Sequence, residues 1–240
     1  FFFFRSIMTS FGKSFVICCL FLSYFVVAAD VYPLPGGDGP IQAKHYIQEL
    51  VTTTLPCLFN YTIDVVNYDE PGYYLRSAPK PSTVLLPPKR RIYQMFVNPE
   101  LFESTGPSIN AMHSIIAHEL NHILDYTHMN ITQLADFGIH YALNYDFHIW
   151  YEHETDHRVL ELQLGQGLKE YREWIYTVLN STERQTKRTE YYTPLEIQGW
   201  MNRYPSVYVN PCDYYSWNYT CNVCRYPSVT NDYSIQSIFE

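Results

Sequence analysis

Five consecutive residues of this 240-residue chain, His118-Glu119-Leu120-Asn121-His122, bring together side chains that bind and work with a metal ion. On a helix, residues four apart share a face, so both imidazoles can reach one cation. Glu119 sits one position on, offset enough to touch a water on that cation rather than the cation itself. Ile115-Ile116-Ala117 before the motif and Ile123-Leu124 after it give the apolar flanks of a buried helix. The residue types suit Zn2+, which takes nitrogen and oxygen ligands tetrahedrally and, where it does chemistry, keeps one of its four positions for water.

A third protein ligand is then required, and two candidates exist. Glu152-His153-Glu154-Thr155-Asp156 places two carboxylates on one helix face. Glu152 would bind the cation, and Asp156 would accept the outer N–H of a ligand histidine, fixing its tautomer and raising its basicity. His128 is the alternative third ligand, because it has the spacing of the last histidine in HExxHxxGxxH. That pattern needs glycine for the positive-φ turn that swings the last histidine back, and this chain has Asp125 there. A helix that runs on would point His128 away from His122, so Glu152 is favoured. Asp125 lies on the His118–His122 stripe and can support a ligand from behind. His157, Arg158, Tyr191 and Tyr192 are candidate donors to a developing oxyanion.

These side chains need helices to hold them. Ser108 can cap a helix running to about Tyr126; others are expected over about 132–143, 146–164 (stopped by Gly165 and Gly167) and 168–179. Thr193-Pro194-Leu195-Glu196 reads as a further helix start, with a capping threonine, proline in the first turn and a glutamate reaching back. Residues 30–107 are richer in proline, and Thr62–Val66 and Arg91–Val97 read as strands. In zincin peptidases, which the HExxH motif resembles, the strand beside the active-site helix holds extended peptide by strand addition, and the resemblance makes Arg91–Val97 the expected edge. The fold class is α+β: a small N-terminal sheet and a mainly helical core within residues 30–200, then an irregular Cys- and Tyr-rich extension, stapled by disulfides, over 201–240.

Composition narrows the setting. At 47% hydrophobic and 17% charged residues the chain is too apolar to stay disordered. A net charge of −8, with no basic run longer than Lys89-Arg90-Arg91, argues against a nucleic-acid partner. From Met8, Lys13 is followed by an apolar run, Phe15 to Ala29, ending in the small residues Val27-Ala28-Ala29. This reads as a signal peptide with a mature start near Asp30, so residues 1–29 stand outside the domain. The run is shorter than the ~20 residues that span a bilayer, and no later segment is long enough, so no membrane span is expected in the mature chain. Cys57, Cys212, Cys221 and Cys224 then remain, an even number that suits disulfides in an exported protein, with the connectivity open. Sequons at Asn60, Asn130, Asn180 and Asn218 agree with a secreted glycoprotein.

HELNH followed by ExxxD resembles the gluzincin group of zinc peptidases. The stretch from Ile115 to about Ile197, with Thr155-Asp156, Lys169-Glu170-Tyr171-Arg172-Glu173-Trp174 and Tyr192-Thr193-Pro194-Leu195-Glu196, is also similar to uncharacterised bacterial HExxH proteins of peptidase type. The resemblance covers about a third of the chain. It implies a zincin-like fold and hydrolysis of a peptide or protein substrate by a zinc-activated water. His118, His122 and Glu152 would be ligands, Glu119 the general base and Asp156 the support of a ligand histidine. The long His122–Glu152 spacing and the stapled extension depart from the group, so its domain layout is not carried over. Other classes remain open: a catalytically silent zinc-binding module, or a structural extracellular glycoprotein with a coincidental HExxH.

Overall fold

The computed structural model describes residues 39–68, 73–205, 207–209 and 212. The expected leader, the sequon at Asn218 and the cysteines Cys221 and Cys224 lie outside the described residues. The architecture is α+β. Helix α1 (Gly39–Thr53) precedes a sheet of β1 (Thr62–Asn67), β2 (Leu75–Pro79) and β3 (Ile92–Val97). Six helices follow: α2 (Ile109–His128), α3 (Ile131–Leu143), α4 (Tyr145–Glu161), α5 (Gly165–Val178), α6 (Ser181–Glu190) and α7 (Pro194–Arg203).

Helix α1 was not anticipated, although Ala43, Ile47, Leu50 and Val51 recur at helical spacing and are all buried. Strand β2, set among prolines, was not anticipated either. Its presence changes the sheet. The strand order is β1-β3-β2, with β3 parallel to β1 and antiparallel to β2. The Arg91–Val97 segment is therefore the central strand, and both of its backbone edges are occupied. It cannot receive a peptide, which corrects the expectation stated above. The edge beside α2 is β2. Asn98 N donates to Tyr74 O (2.9 Å) and Lys80 N to Ile92 O (2.7 Å) across the β2–β3 ladder. Antiparallel alternation then turns the amide and carbonyl of Leu75 and Ser77 away from β3. The Ser77 hydroxyl donates to the Glu119 carbonyl (3.1 Å), seating β2 along the HExxH helix.

Helix α2 forms the centre of the core. Ser108 caps it, accepting from Ala111 N (3.1 Å), and the helix runs unbroken through Asp125 to His128. Its Ile116, Ala117, Leu120, Ile123 and Leu124 are wholly buried, with α1 and the sheet on one side and α4 and α5 on the other. Gly165 and Gly167 do not simply stop α4; they lie inside the first turn of α5. A Cβ on Gly167 would stand 2.1 Å from Asn110 O and 2.3 Å from Ser114 Oγ, so glycine is what lets α5 approach the backbone of α2. The expected start of α7 is present, with Thr193 and Glu196 forming a capping box and Pro194 in its first turn.

Two of the sequon asparagines have a structural use: Asn130 and Asn180 cap α3 and α6 in capping boxes with Gln133 and Glu183. Cys57 and Cys212 form a disulfide, tying the segment beyond α7 to the turn after α1. No helix among the described residues is long and apolar enough to cross a membrane.

Buried Gly167 and exposed Gly199 should respond oppositely to one methyl group. Gly167→Ala is expected to destabilise the protein by about 1–3 kcal/mol through overpacking. Gly199→Ala, in α7 with nothing within 4 Å of the new Cβ, is expected to stabilise it by about 0.4–1 kcal/mol. Urea unfolding of both variants checks the pair.

Candidate metal centre

Two packed helices supply the site. One face of α2 carries His118, Glu119, His122 and Asp125, and one face of α4 carries Tyr151, Glu152, Thr155, Asp156 and Arg158. All of these are buried. His118 Nε2 lies 3.0 Å from His122 Nε2 and 3.0 Å from Glu152 Oε2, and His122 Nε2 lies 3.4 Å from Glu152 Oε2. Glu119 offers a carboxylate oxygen within 4.8 Å of ligand atoms of both histidines.

The surroundings fix which atoms face the triangle. His118 Nδ1 meets Asp156 Oδ1 at 2.8 Å. A carboxylate only accepts, so Nδ1 carries a hydrogen, and in the neutral ring that a metal requires Nε2 is the lone pair. Asp156 in turn accepts from Arg172 Nη2 (2.8 and 3.1 Å) and from the Tyr192 amide (3.0 Å). His122 Nδ1 lies 3.0 Å from the Tyr151 hydroxyl, which donates to Asp125 Oδ2 at 2.7 Å. Its proton is thereby committed, so the hydroxyl accepts from His122 and the second Nε2 is also bare. Arg158 grips both oxygens of Asp125 (2.8 and 2.9 Å). The Tyr141 hydroxyl donates to Glu152 Oε1, the oxygen outside the triangle.

This donor set fits a cation on three counts. Ligands ~2.05 Å from a tetrahedral ion stand ~3.3 Å from each other, close to the three separations here. Two imidazole lone pairs and a carboxylate oxygen at such distances repel unless positive charge lies among them. Finally, Arg158 neutralises Asp125 and Arg172 neutralises Asp156, whereas Glu119 and Glu152 have no lysine or arginine partner among the described residues. Two buried carboxylates call for two positive charges.

The titration behaviour has the same cause. Burial opposes protonation of His118, but its bonds to Asp156 and Glu152 outweigh burial and lift its pKa to about 9. Burial would raise Glu152, yet the two histidines hold it well below the usual carboxylate range. Asp156 is likewise lowered, against burial, by Arg172 and then His118. Burial first, and neighbouring acids second, push Tyr141, Tyr151 and Tyr191 well above the ordinary phenol value, so all three stay protonated donors.

The remaining candidates divide. His128 is exposed at the end of α2, its Nδ1 beside Leu124 O (2.8 Å). The helix continues through Asp125, so His128 is not brought to the pair. Arg158 is committed to Asp125, His157 lies 3.4 Å from Glu161, and the Tyr192 ring rests beside His153. Of the four oxyanion candidates, Tyr191 lines the cavity beside His118 and Glu119: its ring is 5.8 Å from that of His118 and 4.3 Å from the Arg172 guanidinium. A small cavity opens beside His118 and Glu119, with Leu75, Ile115, Tyr171 and Tyr191 in its walls. Sequence reasoning missed the roles of Tyr141, Tyr151 and Arg172. Tyr151 adjoins Glu152, a usable signal, whereas Tyr141 on α3 and Arg172 on α5 bear no spacing relation to the motif.

No known protein family, curated protein or solved structure matches the chain.

Removing one partner of a buried ion pair strands the other. Arg158→Met is expected to cost about 3–5 kcal/mol, and adding Asp125→Asn should recover most of that loss. Denaturant unfolding in the presence of a chelator measures both without a contribution from bound metal.

Proposed function

We propose that this protein is a zinc-dependent metallopeptidase of the zincin type, exported from the cell. His118, His122 and Glu152 would hold the Zn2+ and Glu119 would act as general base. The observation that carries this is the buried triangle of two converging imidazole nitrogens and one carboxylate oxygen, with a second carboxylate on the residue after His118. Zn2+, when bound, supplies a water acidified toward neutrality and a Lewis acid for a peptide carbonyl.

The chain's own groups do the rest. Glu119 takes a proton from the attacking water onto a carboxylate oxygen and returns it to the departing amine nitrogen. The Tyr191 phenol, kept protonated by its burial, donates to the carbonyl oxygen as negative charge develops there. An extended peptide pairs with β2, whose Leu75 and Ser77 amides and carbonyls point away from β3. The cavity beside Glu119, walled by Leu75 and Ile115, accepts an adjoining side chain and keeps bulk water from the reacting atoms. The Cys57–Cys212 disulfide supports an oxidising, extracellular setting, in keeping with the leader and the sequons.

The purified protein is expected to carry one equivalent of zinc, to cleave a peptide library, and to lose both activity and melting temperature on chelation. Glu119→Gln should keep the zinc and lose about 10²–10⁴-fold in turnover, while Glu152→Ala should lose the metal. A wild-type protein without stoichiometric metal, or a Glu119→Gln variant as active as wild type, overturns the proposal. Full zinc occupancy without turnover in the wild type would instead indicate the silent binding module.

A further inference from the structure

Helix α3 contributes no ligand, yet it reaches the centre through an aromatic cluster shared with α4. Met129, Leu134, Phe137, Phe147 and Tyr151 are buried together, with Tyr141 packed against them. The Phe137 ring lies 4.8 Å from that of Tyr151 and 5.7 Å from that of Tyr141, and Phe147 stacks on Tyr151 at 6.2 Å. Packing on several sides leaves the two phenol oxygens little freedom. Each then meets a different part of the triangle.

Tyr151 stands between His122 Nδ1 (3.0 Å) and Asp125 Oδ2 (2.7 Å), and Asp125 is held by Arg158. The direction of hydrogen bonding is imposed from the acid outward, because Asp125 can only accept. His122 is therefore kept with its hydrogen on Nδ1. Its outer partner is a neutral hydroxyl, whereas that of His118 is the Asp156 carboxylate. Tyr141 donates to Glu152 Oε1 and so occupies the oxygen that would otherwise compete with Oε2 for the same cation.

We propose that Tyr141 and Tyr151 are positioning residues of the metal centre: Tyr151 holds His122 in its metal-binding tautomer, and Tyr141 restricts Glu152 to one coordinating oxygen. Through Tyr141, a helix without ligands sets the coordination number. The inference rests on the metal-centre assignment above and goes beyond it.

Cobalt(II) is the probe, because its visible bands are intense when four-coordinate and weaken when a fifth ligand joins. The full chain, Tyr141→Phe, Tyr151→Phe and the control Tyr145→Phe are stripped with chelator and checked for folding by far-ultraviolet circular dichroism. Each is then titrated with Co2+ against a competing chelator. Tyr145 is on α4 but half exposed, and its ring neighbour is His148, so Tyr145→Phe should match wild type. Tyr151→Phe should weaken cobalt binding by about 10–100-fold. Tyr141→Phe should bind within a few-fold of wild type but with clearly weaker bands, as Glu152 Oε1 becomes free to coordinate. Either variant matching wild type in both affinity and spectrum removes that tyrosine's assignment. If one variant does not fold, the other decides the proposal. A wild-type chain that takes up no cobalt overturns the metal centre itself, and this inference with it. A wild type that binds, with both variants unchanged, overturns this inference alone.

Discussion

Two imidazole nitrogens and a carboxylate oxygen, each presenting lone pairs, are held within 3.4 Å of one another in the middle of the protein. Placed so, they need a positive charge among them. The same pull on positive charge shows in His118, whose bonds to Asp156 and Glu152 outweigh burial and lift its pKa to about 9. Desolvation makes the demand stringent: water cannot screen these groups, and each unpaired charge would cost several kcal/mol. The rest of the helical half can be understood as the structure that tolerates this concentration of charge.

That tolerance is built from neutralised pairs. Asp125 with Arg158 and Asp156 with Arg172 contribute no net charge, yet they orient the imidazoles from behind. Buried pairs of this kind add little stability over an apolar replacement. Their value here is geometric, since each fixes a tautomer. The guanidinium of Arg172 also lies over the Tyr191 ring, which connects the support of His118 to the wall of the cavity. The scaffold follows from the same need. Gly167 admits α5, and with it Arg172, close to α2, and Ser77 ties strand β2 to the carbonyl of Glu119.

Legibility in the sequence varied with the kind of signal. Ser108 and Thr193 marked helix starts because capping is a local hydrogen bond between residues three apart. Helix α6 has no apolar stripe and hence no periodicity; only the Asn180–Glu183 capping box announces it, and the same asparagine also reads as a sequon. Helix α1 did have a stripe, but it lies in a segment whose prolines drew attention to strands and turns. Gly165 and Gly167 read as a helix stop because glycine more often serves as punctuation than as a point of close approach.

What the sequence determined by itself is the part governed by helix geometry. Residues 118 and 122 must share a face, residues 152 and 156 must share another, and Asp125 in a continuing helix must carry His128 away. Tertiary structure alone decided that these two faces meet, that Tyr141, Tyr151 and Arg172 stand behind them, that β3 is the inner strand and β2 the edge, and that Cys57 pairs with Cys212. The physical reason is range. Helical spacing and capping act within one or two turns, where sequence distance stands in for spatial distance. Strand order, disulfide partners and the meeting of two helices depend on how the whole core packs, and no local pattern encodes that.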